Sequence, residues 1–247
     1  MSRAYARVLL AAGVGSLVAA ALPAQTVDQV IGKYYEAAGG LQTMKAIHAW
    51  RVSGVTSSPS GEAPFTRITL RPGLARVDFT IQGVTATQAY DGRTAWWFMP
   101  FMGQTAPDTM PSVLAASMKE EAAFDGPLLD YAVRGIGVEL LGKEQVDSTS
   151  AYKLKVTMPS GNVTYYYLDA ANYLPIRTEM LRTIQGQQVT VVTTMKDYRP
   201  EGGVMIPHSF DITTQGQGSQ SFVIDKVEIN PPLTAADFRM PPKPGGE

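Results

Sequence analysis

The sequence predicts a mainly-β protein built on one strongly curved antiparallel sheet of about 11 to 12 strands. Short segments rich in Val, Thr and aromatic residues recur from about Trp50 onward, and Gly, Pro, Asn or Asp separates them. This pattern is typical of strands joined by tight turns. Helical periodicity is confined to the N-terminal part and to one insertion near residues 111–121. A twisted sheet of this size curls or closes, so we expect a concave apolar face that something must fill.

The first 24 residues are predicted to be a signal peptide. Arg3 and Arg7 precede an uncharged apolar run from Val8 to Leu22, and small residues follow up to Ala24. The run is short for a membrane span, which needs roughly 20 apolar residues. We therefore expect export, cleavage after Ala24 and a soluble periplasmic product. Residues 25–241 then form one domain, and residues 242–247 form a loose tail.

Three helical segments are expected. Thr26 and Gln29 have capping-box spacing, and apolar residues follow at helical intervals until Gly39 and Gly40. A second short helix is predicted from Leu41 to Ile47. In the insertion, a stripe formed by Met110, Val113, Leu114 and Met118 predicts an amphipathic lid helix that starts near Pro111.

From Gly137 onward the strands follow one another without interruption, and most of their links are short enough for hairpins. Residues 152–158 alternate cleanly, with Tyr152, Leu154, Val156 and Met158 on one face. Residues 163–168 do not alternate, so both faces of that strand should be at least partly covered. The predicted strands are GVELLGKEQV, AYKLKVTM, NVTYYYLD, LPIRTEMLRTI, QVTVVTTMKDY, VMIPHSFDITT and QSFVIDKVEI.

Composition and motifs argue against several kinds of chemistry. The chain has no cysteine and only two histidines, His48 and His208, so thiolate chemistry is excluded and a metal site is not expected. Removal of Arg3 and Arg7 with the signal peptide leaves acidic side chains in excess, which disfavours nucleic acid as a partner. No nucleophile motif, phosphate loop or metal-ligand spacing appears, so neither catalysis nor a cofactor is predicted.

The segment TAWWFMPFMGQ, residues 94–104, carries two Trp, two Phe and two Met and no charge. It follows the Asp91-Gly92 turn, so it forms the second arm of a hairpin, with Trp96 and Phe98 on one face and Trp97 and Met99 on the other. One interpretation is ordinary core packing. The other is a cavity wall for apolar guests, because methionines adapt to variable ligands. The predicted lipid-binding residues are Trp96, Trp97, Phe98, Met99, Phe101, Met102, Met110, Leu114 and Met118.

An acyl chain is the ligand that a cavity with such a lining would favour. A chain of about 16 carbons gains on the order of 12 kcal/mol on transfer from water to an apolar interior. Transfer from a bilayer to the same interior changes the hydrophobic free energy very little, because both environments are apolar. A protein built in this way is suited to carry lipid between membranes.

Five segments between roughly residues 26 and 241 carry a resemblance to a known family. They are AYDGRTAWWFMPFMGQTAPDTM, FDGPLLDY, LLGKEQVDSTSAYKLKVTMPSGNVTYYYLDAANYLPIRTEM, GGVMIPHSFD and IDKVEINPPL. Together they resemble the outer-membrane lipoprotein-sorting proteins of the LolA/LolB carrier superfamily. The resemblance implies a half-open antiparallel β-barrel, lidded by helices, that shields lipid or lipoprotein acyl chains in the periplasm. It also implies membrane-bound donor and acceptor proteins as partners, whereas oligomeric state leaves no signal in the sequence.

Two other functional classes remain open from the sequence. The same half-barrel is compatible with a periplasmic sensor or protein-interaction module, which an apolar patch outside the cavity would favour. It is also compatible with an enzyme, which a perturbed carboxylate in a deep polar cleft would favour. We expect a non-catalytic binding protein or carrier.

Overall fold

The structure of the protein is a computed structural model that describes residues 25–59, 61–184 and 187–242. The predicted signal peptide, residues 1–24, lies outside the described residues. Residues 243–247 of the predicted tail lie outside them as well.

The described residues form thirteen strands, slightly more than the 11 to 12 expected, and all of them belong to one antiparallel sheet. Most predicted strands from residue 137 onward match the observed ones within one or two residues, and the strand Gln187–Glu201 extends three residues beyond its predicted end. In chain order, β1 to β13 are Ala49–Ser58, Gly61–Leu70, Leu74–Ile81, Val84–Tyr90, Ala95–Phe98, Asp108–Thr109, Gly137–Val146, Thr149–Thr157, Val163–Asp169, Pro175–Ile184, Gln187–Glu201, Val204–Thr214 and Gly218–Ile229.

The strand order is β6-β5-β4-β3-β2-β1-β13-β12-β11-β10-β9-β8-β7. Each strand therefore pairs with its neighbour in sequence, except that β1 pairs with β13 and so joins two meanders. In register, Trp50 lies opposite Ile229 and Val55 lies opposite Val223. β6 and β7 are the two ends of the sheet and do not pair with each other. The architecture is thus a half-open curved barrel, as predicted.

Strands β1 and β13 approach each other closely at Gly54, where the register shifts between Ser53 and Gly54. A Cβ atom at Gly54 would lie 2.0 Å from the carbonyl oxygen of Val223, so only glycine fits there. A bulge of this kind bends a strand and increases its local twist. It lies in the middle of the sheet order, where bending makes one face concave.

The three helices begin and end near the predicted residues. α1 spans Val27–Ala37, and Thr26 and Gln29 form the predicted capping box at its start. α2 spans Leu41–Ala46. α3 spans Ser112–Glu121 and is preceded by Pro111 at the N-cap position. All three lie against the concave side of the sheet or its rim.

Helix α1 fills the β7–β9 end of the concave face. Val30 and Ile31 pack in one buried cluster with Tyr152, Leu154 and Val156, which confirms the predicted alternation of β8. Neither face of β9 is left exposed, since its residues are all buried or half-buried. α1 therefore occupies only part of the hollow side, and the remaining part is the site described next.

Candidate functional site

The larger cavity lies on the concave face and has a volume of about 560 Å³. Ligand pockets in proteins commonly have volumes of about 300 to 1,000 Å³, so this cavity can hold a small ligand. Strands from both meanders line it, together with the segment after β5 and the end of α3. The lining residues are Thr56, Ser58, Gly61, Glu62, Ala63, Phe65, Arg67, Val77, Phe79, Ile81, Gln88, Met99, Phe101, Met102, Glu121, Phe210, Ile212, Gln220 and Phe222.

Four phenylalanines form the floor of the larger cavity. Phe65 lies opposite Phe79 on the next strand, and Phe210 lies opposite Phe222. The rings of Phe210 and Phe222 stack at 4.6 Å between centroids, and Phe65 meets Phe222 edge-on at 5.4 Å. Directly opposite residues in an antiparallel pair share a face, so one row of aromatic rings crosses the junction of the two meanders.

Met99, Phe101 and Met102 form the rim of the larger cavity. Pro100–Met102 is a 3-10 turn that ends at Gly103, whose left-handed backbone reverses the chain. The side chains of Phe101 and Met102 are 52% and 69% exposed. Large apolar side chains that line a cavity and also face solvent mark its mouth.

The C-terminal end of α3 joins strands that are far apart in the sheet. The Arg67 guanidinium, on β2, donates a 2.9 Å hydrogen bond to the backbone carbonyl of Glu121. Arg182, on β10, pairs with the Glu121 carboxylate at 3.0 Å. Next to it, the amide of Asn162 in the β8–β9 turn donates to the Glu120 carboxylate at 2.7 Å. Because β2 and β10 have four strands between them in the sheet order, α3 closes over the concave face as a lid.

The environment of Arg67 is unfavourable for a free cation. Burial lowers the pKa of the Arg67 guanidinium, and the nearby Glu121 opposes that effect. A desolvated charge is tolerated only when it is hydrogen-bonded or paired. Contact with the lid therefore satisfies a partly desolvated cation of the cavity lining.

Beneath the lid lies a packed cluster of buried side chains. Met118 and Ala122 from the lid pack with Ala75 and Ala95 from the sheet, together with Met110. Trp97 packs against the edge of this cluster. Three of the predicted site residues, Trp97, Met110 and Met118, thus support the lid next to the cavity.

Three other predicted site residues lie away from both cavities. Trp96 is 1% exposed and its indole NH donates a 2.8 Å hydrogen bond to the carbonyl of Phe238, so it anchors the C-terminal turn on the outer face of the sheet. Phe98 shares the Trp96 face by alternation. Leu114 is 45% exposed on the outer side of α3. Trp96, Phe98 and Leu114 are therefore not among the residues that line either cavity.

The predicted apolar stripe of the lid helix is also wrong in part. Val113 and Leu114 are exposed, whereas Ala115, Met118 and Ala122 face the sheet. Small residues at this spacing let the helix approach the alanines of β3 and β5 closely. The close approach of α3 to the sheet therefore decides which face of the helix packs. The prediction was based instead on the size of the apolar side chains.

A smaller cavity of about 240 Å³ lies between the N-terminal helices and the sheet. Its walls come from α1, α2, the start of the loop after α3, and strands β11 and β12. Trp50 stacks on Phe124 at 5.2 Å between centroids, and the Arg71 guanidinium lies 4.5 Å from the Phe124 ring centroid and is ion-paired with Asp125. Its lining also includes Tyr34, Met44, Ile47, Leu129, Met195, Tyr198, Val204, Met205, Ile206 and Pro207.

Sequence reasoning missed the floor of the larger cavity and the residues that hold the lid. Phe65 and Arg67 occupy alternate positions of β2, a signal that places them on one face. The floor phenylalanines come from four strands at distant points of the sequence, so no local window contains them together. Glu121 carries no local signal of its role either, although its carbonyl and carboxylate both contact arginines.

Two further findings concern the described ranges only. No group of three or more His, Asp or Glu side chains there is placed to hold a metal ion. None of the helices in those ranges combines the length and the apolar character that a membrane crossing requires.

Comparison with known proteins shows which solved structures have a similar fold. No protein-family model matches the chain, and no curated protein matches it. Among solved structures, a LolA superfamily protein from Nitrosomonas europaea is similar with a TM-score of 0.59 and 15% identity, over 87% of this chain and 98% of that chain. A domain from Vibrio parahaemolyticus, described as outer membrane lipoprotein-sorting, has a TM-score of 0.55 and 11% identity, over 85% and 94% of the two chains.

The fold and the site together define a lidded half-barrel with a cavity on its concave face. This fold is similar to those of the two solved structures, so the predicted resemblance is confirmed for the fold.

Proposed function

We propose that the protein is a non-catalytic lipid-binding protein that shields an acyl chain, of a lipid or a lipoprotein, in the larger cavity. One observation carries the proposal: a cavity of about 560 Å³ with an aromatic floor lies on the concave face, beside the C-terminal end of the lid helix. The similarity of the fold to lipoprotein-sorting structures supports the same role.

The chemistry of the cavity suits an apolar chain. Its floor is formed by Phe65, Phe79, Phe210 and Phe222, and each methylene buried against such a surface gains about 0.8 kcal/mol relative to water. Arg67 is the only cation of the lining, and it already donates to the lid. The four phenylalanines of the floor carry no charge, so an acyl chain that lies on them meets none there. The rim residues Met99, Phe101 and Met102 are proposed to contact it where it enters.

The lid gives the proposal a mechanism for loading and release. α3 is held at its C-terminal end by the contacts of Arg67, Arg182 and Asn162 with Glu120 and Glu121. A few polar contacts at one end of a short helix form a small unit that can open locally without unfolding the sheet. We infer that the protein is periplasmic, receives its ligand from one membrane-associated donor and delivers it to an acceptor.

A direct test measures ligand binding by the full chain expressed in a bacterial host. Organic extraction and mass spectrometry of the purified protein should detect bound lipid, and the delipidated protein should take up a fluorescent fatty-acid probe. Phe79→Asp puts a charge on the cavity floor, which is costly in an apolar site, so it should abolish uptake. Thr80→Asp is the matched control, because it adds the same charge to the next residue of β3, on the opposite face.

The two variants separate the possible results. Uptake lost in Phe79→Asp and kept in Thr80→Asp, with both proteins folded by circular dichroism, supports the proposal. Absence of extracted lipid together with absence of probe uptake by the unaltered protein contradicts it. If Phe79→Asp is unfolded, Val77→Trp, which fills the cavity with an apolar side chain, replaces it.

A second candidate function is a sensor or protein-interaction module, and one observation favours it. Phe101, Met102, Val113 and Leu114 are large, apolar and exposed, and exposed apolar clusters often mark interaction sites. Substitution of Val113 and Leu114 with Ser leaves the cavity intact. Normal lipid uptake with loss of function in cells would favour the interaction module.

A further inference from the structure

Two polar side chains in the lining of the larger cavity have N–H donors that no described protein group accepts. The Arg67 guanidinium carries five such donors. Among the residues that the structure describes, it makes one hydrogen bond, to the Glu121 carbonyl, and no ion pair. The Glu121 carboxylate pairs with Arg182 instead. The side-chain amide of Gln88 makes no hydrogen bond within the same described ranges.

The unpaired atoms of Arg67 and Gln88 face open space. Both residues are half-buried, and in the described part of the chain Arg177 Nε is the one buried side-chain nitrogen or oxygen without a partner. The free nitrogens of Arg67 and the amide of Gln88 are therefore accessible. Both residues line the larger cavity, so a ligand in that cavity can reach them.

Arg67, Val77 and Gln88 form one row across the sheet, which we call the Arg67–Gln88 row. Arg67 lies opposite Val77, and Val77 lies opposite Gln88, so all three share the concave face. The backbones of Arg67 and Gln88 are two strand spacings apart, about 10 Å. Both side chains are longer than the valine between them. The space above Val77 can therefore hold a small group between the guanidinium and the amide.

The charge at the Arg67–Gln88 row is positive. Arg182 compensates the Glu121 carboxylate, which leaves Arg67 without a counter-ion. Glu62, the other carboxylate of the cavity lining, lies on the opposite face of β2 from Arg67 by alternation and accepts a hydrogen bond from Ser57. Burial lowers the pKa of the Arg67 guanidinium, and a desolvated cation is stabilised by a partner of opposite charge. A carboxylate or a phosphate suits it best, because a guanidinium binds either one through two parallel hydrogen bonds.

The Arg67–Gln88 row borders the aromatic floor of the larger cavity. Phe65 lies two residues before Arg67 on the same face of β2, roughly 7 Å along the strand. Phe79, opposite Phe65, lies two residues after Val77 on β3. A chain that begins at the row therefore continues directly over the phenylalanine rings.

We propose that the Arg67–Gln88 row binds an oxyanion at the end of the acyl chain, namely the carboxylate of a fatty acid or the phosphate of a single-chain lipid. The protein then prefers anionic amphiphiles to uncharged ones of the same chain length. This inference rests on the proposed lipid-binding function and assigns the chemical class of the head group.

The test compares dodecanoate, dodecyl phosphate, dodecanol and dodecyltrimethylammonium at pH 8, each below its micelle concentration. Each competes with N-phenylnaphthylamine, an uncharged fluorescent probe, on the delipidated full chain. The tighter of the two anions should displace the probe at about tenfold lower concentration than dodecanol, because it gains hydrogen bonds from a charged donor. It also identifies the head group. The cation should be the weakest competitor.

Variants separate binding of the head group from closure of the lid. Arg67→Met should remove the preference for the anion over dodecanol, and Arg67→Lys, which keeps the charge, should retain part of it. Gln88→Leu should reduce the preference about threefold, as the loss of one neutral hydrogen bond implies.

Arg182→Gln is the matched control, because Arg182 also holds the lid but does not line the larger cavity. This variant should keep the ratio of anion to alcohol affinity. A residue that acts only through the lid changes the affinity for both ligands by the same factor, so the ratio reports contact with the head group. Circular dichroism checks that each variant is folded. If Arg67→Met is unfolded, Gln88→Leu and Arg67→Lys provide the same comparison.

Equal competition by the anions and dodecanol, or an anion preference that survives Arg67→Met, overturns the assigned head group and leaves lipid binding standing. Loss of the preference in Arg182→Gln to the same extent as in Arg67→Met overturns it as well. Failure of the unaltered protein to bind the probe or any of the four ligands contradicts the proposed function itself.

Discussion

The two arginines that hold the lid should contribute very unequally to its closure. Arg67 donates a 2.9 Å hydrogen bond from within the cavity to the Glu121 carbonyl. Arg182 pairs with the Glu121 carboxylate at 3.0 Å, but its side chain is 30% exposed and that of Glu121 is 46% exposed. Substitution of Arg67 with Met and of Arg182 with Gln removes one contact each and keeps side chains of similar length.

The expected magnitudes follow from the two environments. A hydrogen bond from a charged donor is worth about 1.5 to 3 kcal/mol, so Arg67→Met should raise the population of the open lid by about 10- to 150-fold. A partly exposed ion pair is worth about 0.2 to 1 kcal/mol, so Arg182→Gln should raise it by about fivefold or less. The effect of Arg182 should also disappear in high salt, because added ions screen exposed pairs.

Hydrogen exchange of the α3 amides and the dissociation rate of a bound acyl probe both measure lid opening. Global stability is a separate readout: Arg67→Met relieves a desolvated charge, so the free energy of unfolding should not fall by as much as the lid contact is worth. Faster exchange of α3 in Arg182→Gln than in Arg67→Met would refute the assignment of the stronger contact to Arg67. Unchanged exchange in both variants would refute the view that these contacts close the lid.

Three further predictions concern other parts of the chain. Trp96→Phe should lower the free energy of unfolding by about 1 to 3 kcal/mol in urea denaturation, because the Phe238 carbonyl loses its buried donor, while probe binding stays unchanged. Leu154→Ala should lower it by about 2 to 5 kcal/mol, because Leu154 is completely buried beneath α1; a loss below 1 kcal/mol would contradict that packing. Hydrogen bonds from Gln25, Tyr152 and Lys33 lower the pKa of Tyr173 to about 8, so ultraviolet titration should detect one phenol that ionises near pH 8, and Tyr173→Phe should remove it. Because the folded-state pKa lies below the ordinary value of about 10, the associated gain in stability appears as the pH rises through 8 and is lost as it falls; stability that declines between pH 8 and 10 through Tyr173 would contradict this.

Strand boundaries were predictable because turn-forming residues and the alternation of side chains are both patterns among residues that are neighbours in the sequence. β7 and β12 begin and end where the sequence patterns indicate. The helix-capping residues Thr26 and Gln29 make the expected contacts for the same reason. The two-residue strand β6 was missed, since its pairing with β5 depends on the path of the chain after Gly103 and leaves no periodic signal.

The lid helix shows the limit of a pattern based on hydrophobic size. Val113 and Leu114 are strongly hydrophobic, whereas Ala115 and Ala122 are only weakly hydrophobic. The alanines nevertheless face the sheet, and Val113 and Leu114 are exposed. Ala75 and Ala95 on the sheet allow the backbone of α3 to come close, and a larger residue on either side would separate them. Which face of a helix packs thus depends on the shape of its partner, and that shape is set by residues of other strands.

Trp96 and Trp97 show the same limit for a strand. Alternation predicts that they face opposite sides of β5, and they do: Trp97 supports the lid, whereas Trp96 binds the C-terminal turn through Phe238. Alternation alone does not say which side is concave, because both tryptophans are equally apolar. The outer side is identified only by Phe238, 142 residues further along the chain. Once that contact assigns Trp96 to the outer face, the same register places Trp97, Gln88 and Val77 on the inner one, and the cavity follows from the pairing of the strands.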